Sequence, residues 1–335
     1  MSSEALRPHG WGERWDALLA PDHQPARVVR HDGQLVIVAT PELRALPVRA
    51  TAGETVVGDW VGIDGDVVAE VLPRATLLRR AAPDGSRQPI TANVDVVLIV
   101  CGLDRPVRPG RLQRSVATTW DAGAQPLVVL TKADLGPPGV EASTAVDDAL
   151  AVAAEAVPSV DVLVTSTTTG RGIAELAAAC RDRTVVLLGE SGAGKSSLTN
   201  ALLGDEVAEV GAVRESDQKG RHTTTSRELR LLPGGGVIID TPGVRALALW
   251  VNADAIDATF PEIEELAASC RFTDCAHDTE PGCAVRDAVE ADRLEDWRAL
   301  HREVAARERP EHERRRDGRI GSRMIREALR EKRRD

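Results

Sequence analysis

Tyrosine is absent from this 335-residue chain and phenylalanine occurs only twice, so aromatic residues make up just 2% of it. The 42% hydrophobic fraction is therefore almost wholly aliphatic. It is still large enough for folded domains, and the length exceeds one typical core. Long hydrophobic runs are missing as well. The longest largely apolar stretch, Val94–Val100, is far short of a membrane span. The start is polar, carries Trp11 and Trp15 without an apolar run, and does not read as a signal peptide. A cytoplasmic protein with no membrane partner is expected.

Positive charge is in deficit. A net charge of −10 argues against a protein that coats nucleic acid with its whole surface, and DNA is not an expected partner. The deficit is uneven, because Arg302–Asp335 holds 13 Lys/Arg against 8 Asp/Glu. That basic tail could grip phosphate backbone locally, or be a solvated, salt-bridged helix.

Cysteine is also scarce. Cys101 and Cys180 lie in apolar contexts and are expected to be buried, inert thiols. The other three fall in Cys270-x4-Cys275-x-His277-x5-Cys283. In a cytoplasmic chain that spacing points to metal before disulfide. Three thiolates and one imidazole suit tetrahedral Zn²⁺ with no position left for water, hence a structural role. Reduced cysteines without metal are the alternative.

Residues 1–25 are punctuated by Pro and Gly and read as a loose, flexible extension. Short β-type runs then crowd together at Arg27–Val29, Leu35–Ala39, Ala45–Arg49, Thr55–Ile63, Val67–Val71 and Thr76–Arg79. They suggest a small barrel over 26–85, for which an OB-fold and an SH3-like barrel fit nearly equally. From residue 94 the pattern changes. Apolar runs Val94–Val100, Pro126–Leu130, Val160–Val164 and Thr184–Leu188 alternate with helical stretches near 111–121, 141–156 and 172–181. That alternation predicts a parallel sheet covered on both faces, over 86–245. Glu228–Leu232 and Val237–Asp240 add two more strands, and 246–335 reads as helical and polar around the Cys/His cluster.

The decisive motif is Gly189-Glu190-Ser191-Gly192-Ala193-Gly194-Lys195-Ser196, a full GxxxxGKS loop after Val185–Leu188 and before a helical Ser197–Leu203. Its glycines let backbone N–H groups turn inward around phosphates, and the helix N-terminus adds a favourable dipole. Lys195 is expected on the β- and γ-phosphates and the Ser196 hydroxyl on Mg²⁺. Downstream, Asp240-Thr241-Pro242-Gly243 offers a carboxylate near Mg²⁺ and a glycine N–H for the γ-phosphate. Between them, Lys219-Gly220-Arg221-His222-Thr223-Thr224-Thr225 can close over the ion; Thr223 is favoured as its ligand, then Thr224. Val244 stands where a water-orienting Gln is common. His222 is the internal candidate for that task, or else a solvated loop residue.

Thr131-Lys132-Ala133-Asp134 follows the strand Leu127–Leu130 and suits base reading. An Asp there accepts from guanine N1–H and the 2-amino group, a donor pair that adenine lacks. Asp134 therefore selects GTP and GDP, Lys132 would lay its stem over the base, and Ser166-Thr167 would add a backbone-contacting loop. Thr131 replaces the usual Asn, with a cost to nucleotide affinity expected. This base loop precedes the phosphate loop, whereas GTPases normally have the reverse order. A circularly permuted GTPase is implied.

Together these motifs resemble the ribosome small-subunit-dependent GTPase A family, of the YjeQ/RsgA type. The resemblance includes Gly58-Asp59-Trp60-Val61, Ala92-Asn93-Val94-Asp95, Gly189–Ser196, Gly220–Thr224, Asp240–Gly243 and the spacing from Cys270 to Cys283. It implies a multidomain α/β chain with an N-terminal OB-fold, a central permuted GTPase domain and a C-terminal zinc-binding helical domain. It also implies a role late in maturation of the 30S subunit, 16S rRNA as partner, and GTP hydrolysis that the subunit stimulates and that drives release. The family's proposed catalytic histidine falls on His222, and its members share the apolar residue at Val244. Catalytic roles then go to His222, Lys195 and Thr223, with Ser197 completing the nucleotide loop; a monomer is expected. Two rivals stay open on the residues alone, an RNA-binding module with a vestigial site and an ATP-dependent enzyme such as a kinase.

Overall fold

A computed structural model of the chain describes residues 3–32, 34–40, 42–81, 86–204, 227–240 and 251–308. The first twenty or so of these are not a loose extension. They form a 3₁₀ turn, Ser3–His9, and a short helix α1, Glu13–Asp16. Trp11 and Trp15 are buried against Trp60, with ring centroids 4.9 and 5.9 Å away, and Trp11 Nε1 donates to Asp16 Oδ1 at 2.8 Å. Two indoles carry enough apolar surface to anchor the segment despite its Pro and Gly content.

Five strands follow: β1 Gln24–Asp32, β2 Leu35–Ala39, β3 Leu43–Pro47, β4 Trp60–Asp64 and β5 Val67–Val71. They pair antiparallel in the order β3-β2-β1-β4-β5, and a parallel bridge Val48↔Val68 brings the two ends together. That connectivity is the Greek-key barrel of an OB-fold, which decides against the SH3-like alternative. Alternate residues Ala26, Val28, Val36, Val38, Val61 and Ile63 fill its interior. The run Thr55–Ile63 becomes strand only from Trp60. Before it, Asp59 accepts the Val56 N–H at 2.7 Å and closes a turn on Gly58, whose φ is +94°. A Cβ on Gly58 would stand 2.2 Å from the Ala92 carbonyl oxygen, so only glycine fits. The run at Thr76–Arg79 does not join the barrel. It forms β6, Leu77–Ala81, which pairs with β7, Arg87–Ala92, in a separate hairpin.

The next elements are β8 Val96–Gly102, α2 Pro109–Asp121, β9 Gln125–Thr131, α3 Ala142–Ala156, β10 Val162–Val164, α4 Ile173–Cys180, β11 Thr184–Gly189, α5 Lys195–Leu203, β12 Glu228–Leu231 and β13 Val237–Asp240. Among the described residues these strands make one six-stranded sheet, β10-β9-β8-β11-β13-β12, parallel except for β12. Strands that precede β11 in the chain lie on one side of it, and those that follow lie on the other. Along β8, Val97 and Ile99 enter one apolar layer while Val96, Leu98 and Val100 enter the opposite one, as a sheet covered on both faces requires.

Barrel and sheet belong to one compact unit, Met1–Arg80 with Pro89–Trp250. Arg27 ties them together. Its buried guanidinium lies 4.7 Å from the centre of the Trp60 ring and donates to Gly58 O, Asn93 O and Thr184 Oγ1, at 3.3, 3.2 and 2.9 Å. Burial pulls its pKa down to about 10 even though Asp95 and Asp59 favour the charged form. The barrel is thereby pinned to Thr184, the first residue of the strand that carries the phosphate loop.

The other unit, Ala81–Gln88 with Val251–Asp335, contains α6 Ala253–Asp257, α7 Pro261–Ala267, α8 Ala284–Ala288 and α9 Ala291–Glu308. Asn252 caps α6 by accepting the Ala255 N–H at 2.8 Å. Its buried apolar residues include Ile256, Phe260, Ile263, Val285, Leu294, Leu300 and Val304. Arg293 crosses the Phe260 ring at 4.3 Å and binds Glu262 at 2.7 Å. No helix among the described residues is long and apolar enough to cross a membrane.

Candidate nucleotide site and metal centre

The phosphate loop leaves the carboxyl end of β11, in the middle of the sheet, where open α/β sheets place their ligand crevices. Gly192 and Gly194 both have positive φ, +78° and +96°, and Gly194 leads directly into α5. Lys195 folds its ammonium back into the loop, onto the Gly189 and Glu190 carbonyls at 2.8 and 2.6 Å. Ser196 and Ser197 open the first turn of α5, with Ser196 exposed. Asp240 ends β13 on the same edge. Burial raises the pKa of its carboxyl, opposed by the charges of Arg230 and Lys195.

Two strands away, β9 delivers Thr131–Asp134. Thr131 is buried and its hydroxyl donates to the Ala193 carbonyl of the phosphate loop at 2.5 Å. The residue that departs from the usual Asn thus still ties base loop to phosphate loop. Lys132 has a φ of +59°, a left-handed conformation that is costly for a side chain with a Cβ. Asp134 Oδ1 accepts the Ser166 hydroxyl at 2.5 Å, and that bond, more than any other influence, holds its pKa below the usual carboxylate range. Ser166 is itself buried, while Thr167 is exposed. Its loop is shaped by Gly172, where a Cβ would lie 2.1 Å from the Val164 carbonyl oxygen. The structure thus gathers Gly189–Ser197, Asp240, Thr131–Asp134 and Ser166–Thr167 at one end of the sheet. His222, Thr223, Gly243 and Val244 lie outside the described residues, as does the basic tail beyond 308.

Sequence reasoning passed over the loop between β8 and α2. Asp104 Oδ2 accepts from Lys132 Nζ at 2.9 Å and from Arg105 at 3.3 Å. Arg105 also lies 4.0 Å from Glu190 of the phosphate loop, and Arg111 of α2 pairs with the same Glu190. Burial alone would raise the Asp104 pKa, but the bonds from Lys132 and Arg105 bring it below normal. A cavity of about 290 Å³ lies beside these residues, walled by Cys101, Arg108, Leu112 and Ser191. The signal that could have found them is positional: β8 neighbours β11, so the loop at its carboxyl end must border the crevice.

In the second unit, Cys270, Cys275, His277 and Cys283 bring four ligand atoms within 4.8 Å of one another. His277 Nδ1 lies 3.6 Å from Cys270 Sγ and 3.5 Å from Cys283 Sγ, and the two sulfurs are 4.0 Å apart. Ligands at the corners of a zinc tetrahedron would be separated by roughly 3.5–3.8 Å, given bond lengths near 2.0–2.3 Å. The donor set and its spacing fit a metal ion. Cys283 Sγ also accepts the Arg286 N–H at 3.4 Å, so the first turn of α8 faces this sulfur. Trp297 closes the other side, its ring centroid 5.6 Å from that of His277.

A family model described as RsgA GTPase matches residues 71–250. A small ribosomal subunit biogenesis GTPase RsgA from Streptomyces avermitilis is 44% identical over 323 residues, covering 90% of this chain and 86% of the relative. The chain belongs to the RsgA GTPase family. The protein of the same description from Xanthomonas campestris is 43% identical over 303 residues, covering 86% of this chain and 82% of its own. YjeQ from Thermotoga maritima superposes with a TM-score of 0.64 at 26% identity, covering 86% of this chain and all of that one. YloQ, a circularly permuted GTPase, superposes at 0.61 with 22% identity, over 86% of this chain and 97% of that one, and bears on the fold alone. As an RsgA-family GTPase the protein is a hydrolase of GTP, and its strand order is the permuted one that the motif order implied.

Proposed function

We propose that this GTPase acts in late maturation of the small ribosomal subunit, with hydrolysis stimulated by the 30S particle and driving release from 16S rRNA. The observation that carries this reading is the convergence of a phosphate loop and a base-reading loop at one edge of a permuted sheet. The permuted order makes the chain run from Asp240 directly into the segment bearing the Cys/His cluster. The names of the Streptomyces and Xanthomonas relatives support the same assignment.

In this reading Asp134 accepts from the guanine edge, Lys132 covers the base, and Ser166-Thr167 close its far side. Gly189–Ser197 enclose the phosphates, with Lys195 as their cation. Mg²⁺ would neutralise charge on the phosphate oxygens, and Ser196, Asp240 and Thr223 are the residues to hold it. Gly243 would reach the γ-phosphate, and His222 would orient water in place of the missing Gln. Zn²⁺ at Cys270, Cys275, His277 and Cys283 is structural. The five-stranded barrel and the basic tail of the 246–335 region supply backbone contacts to rRNA. The protein works as a cytoplasmic monomer, with neither DNA nor membrane as partner.

The test is nucleotide hydrolysis by the full chain with and without 30S subunits, GTP and ATP in parallel. Stimulation by about tenfold or more, confined to GTP, is expected, since completion of a phosphate site in trans can give far more. Equal rates with and without 30S subunits would overturn the ribosomal role.

A further inference from the structure

We propose that Asp104 is a positioning residue of the base site, holding Lys132 in place for the purine before nucleotide arrives. The proposal rests on Thr131–Asp134 being the base-reading loop. Nothing in the GxxxxGKS or TKxD motifs calls for an acid at the end of β8.

The geometry is specific. Lys132 Nζ and Asp104 Oδ2 are 2.9 Å apart, with side chains 27% and 29% exposed, so their attraction is less screened than that of a surface pair. The carboxylate is itself held. Its other oxygen, Oδ1, is buried and lies 2.7 Å from where a Cβ on Gly102 would be, a space open only because residue 102 is glycine. With Oδ1 turned inward, Oδ2 faces Lys132.

Arg105 extends the link from Asp104 toward Glu190, which Arg111 anchors to α2. A charged chain therefore runs Lys132, Asp104, Arg105, Glu190, Arg111 along the outer wall of the site. It joins base loop to phosphate loop independently of the Thr131 hydroxyl. Where the usual Asn offers two separate groups to that junction, an amide NH₂ and a carbonyl oxygen, Thr131 offers a single hydroxyl, spent on the Ala193 carbonyl. The Asp104 connection supplies the second tie.

A lysine stem has several freely turning bonds, and fixing them in advance removes an ordering cost from binding. Losing that preorganisation should weaken affinity without touching chemistry at the γ-phosphate. The experiment measures affinity and release of a fluorescent GDP, together with kcat and KM for GTP, on the full chain. Asp104→Asn is expected to weaken GDP binding about three- to tenfold, the value of one immobilised long side chain, through faster release. The kcat at saturating GTP should stay within about twofold of wild type, and KM should rise. In a Lys132→Ala background the same substitution should add less than about twofold, because the two residues act as a unit.

Asp134→Asn is the control for the underlying reading. It should abolish GDP binding and permit xanthosine diphosphate, whose 2-carbonyl accepts from an amide. If Asp134→Asn leaves GDP affinity intact, the base-site reading fails. If that control behaves and Asp104→Asn stays within about twofold of wild type, or weakens binding equally without Lys132, the positioning role is overturned. A parallel fall in kcat and melting temperature would mark Asp104 as merely structural and would overturn it too.

Discussion

Lys195→Ala should lower kcat/KM for GTP by about 100- to 1,000-fold, the range found when one preorganised donor to developing charge is removed. The ammonium sits on the Gly189 and Glu190 carbonyls, inside the loop that is to surround the phosphates. A residue there meets the oxygens on which negative charge grows as the γ-phosphoryl leaves, and alanine can replace none of that attraction. The fold should survive. Lys195 lies in the first turn of α5, and that helix is held by Leu198 and Leu202, which pack beneath the sheet. Melting within a few degrees of wild type, with hydrolysis nearly gone, is the expected result. Unchanged hydrolysis would mean that the loop is vestigial and that the chain binds RNA without using nucleotide.

That prediction could be written from the sequence because everything it needs is local. A strand, five loop residues and a helix N-terminus make the phosphate site, and they are consecutive in the chain. The same is true of the ligand spacing from Cys270 to Cys283, and of Asp134 following β9. Val67–Val71 and Val237–Asp240 were legible to the residue because alternation or continuous apolarity is a backbone-scale pattern.

Contacts between distant segments were not legible. Thr131 reads as an odd replacement for Asn until its hydroxyl is seen on Ala193, 62 residues on. Asp104 is one acid among many until β8 is known to border β11. Trp11 and Trp15 sit among prolines and glycines that suggest a loose chain, and only the presence of Trp60 across the barrel gives their rings somewhere to go. The strand run at Thr55 fails for the same reason, since the close approach of Ala92 to Gly58 imposes a turn that no propensity announces. The hairpin of β6 and β7 is half legible in the sequence, as the run Thr76–Arg79 without its partner.

Removal of the Cys283 thiol should have the other large effect. The described part of the unit that holds the Cys/His cluster has three short helices and one long one, five residues in α6 and in α8, seven in α7 and eighteen in α9. Helices under about 12 residues do not hold themselves, and the loop from 270 to 283 contributes Phe272 to the surface rather than to the core. Structural zinc contributes about 10–16 kcal/mol in small finger domains, several times what one buried aliphatic side chain gives. Cys283 is fully buried and placed for two roles, as a candidate metal ligand within reach of His277 and Cys270 and as the acceptor for the Arg286 N–H. Cys283→Ala should therefore abolish stoichiometric zinc and make residues 251–308 sensitive to protease. The unit of barrel and sheet has its own apolar clusters and should stay folded, so melting should split into two transitions, as it should after chelation of the wild-type protein. Zinc content near one per chain in wild type, measured alongside, is required. A Cys283→Ala protein that melts once, at the wild-type temperature, would show that the cluster does not hold this unit together.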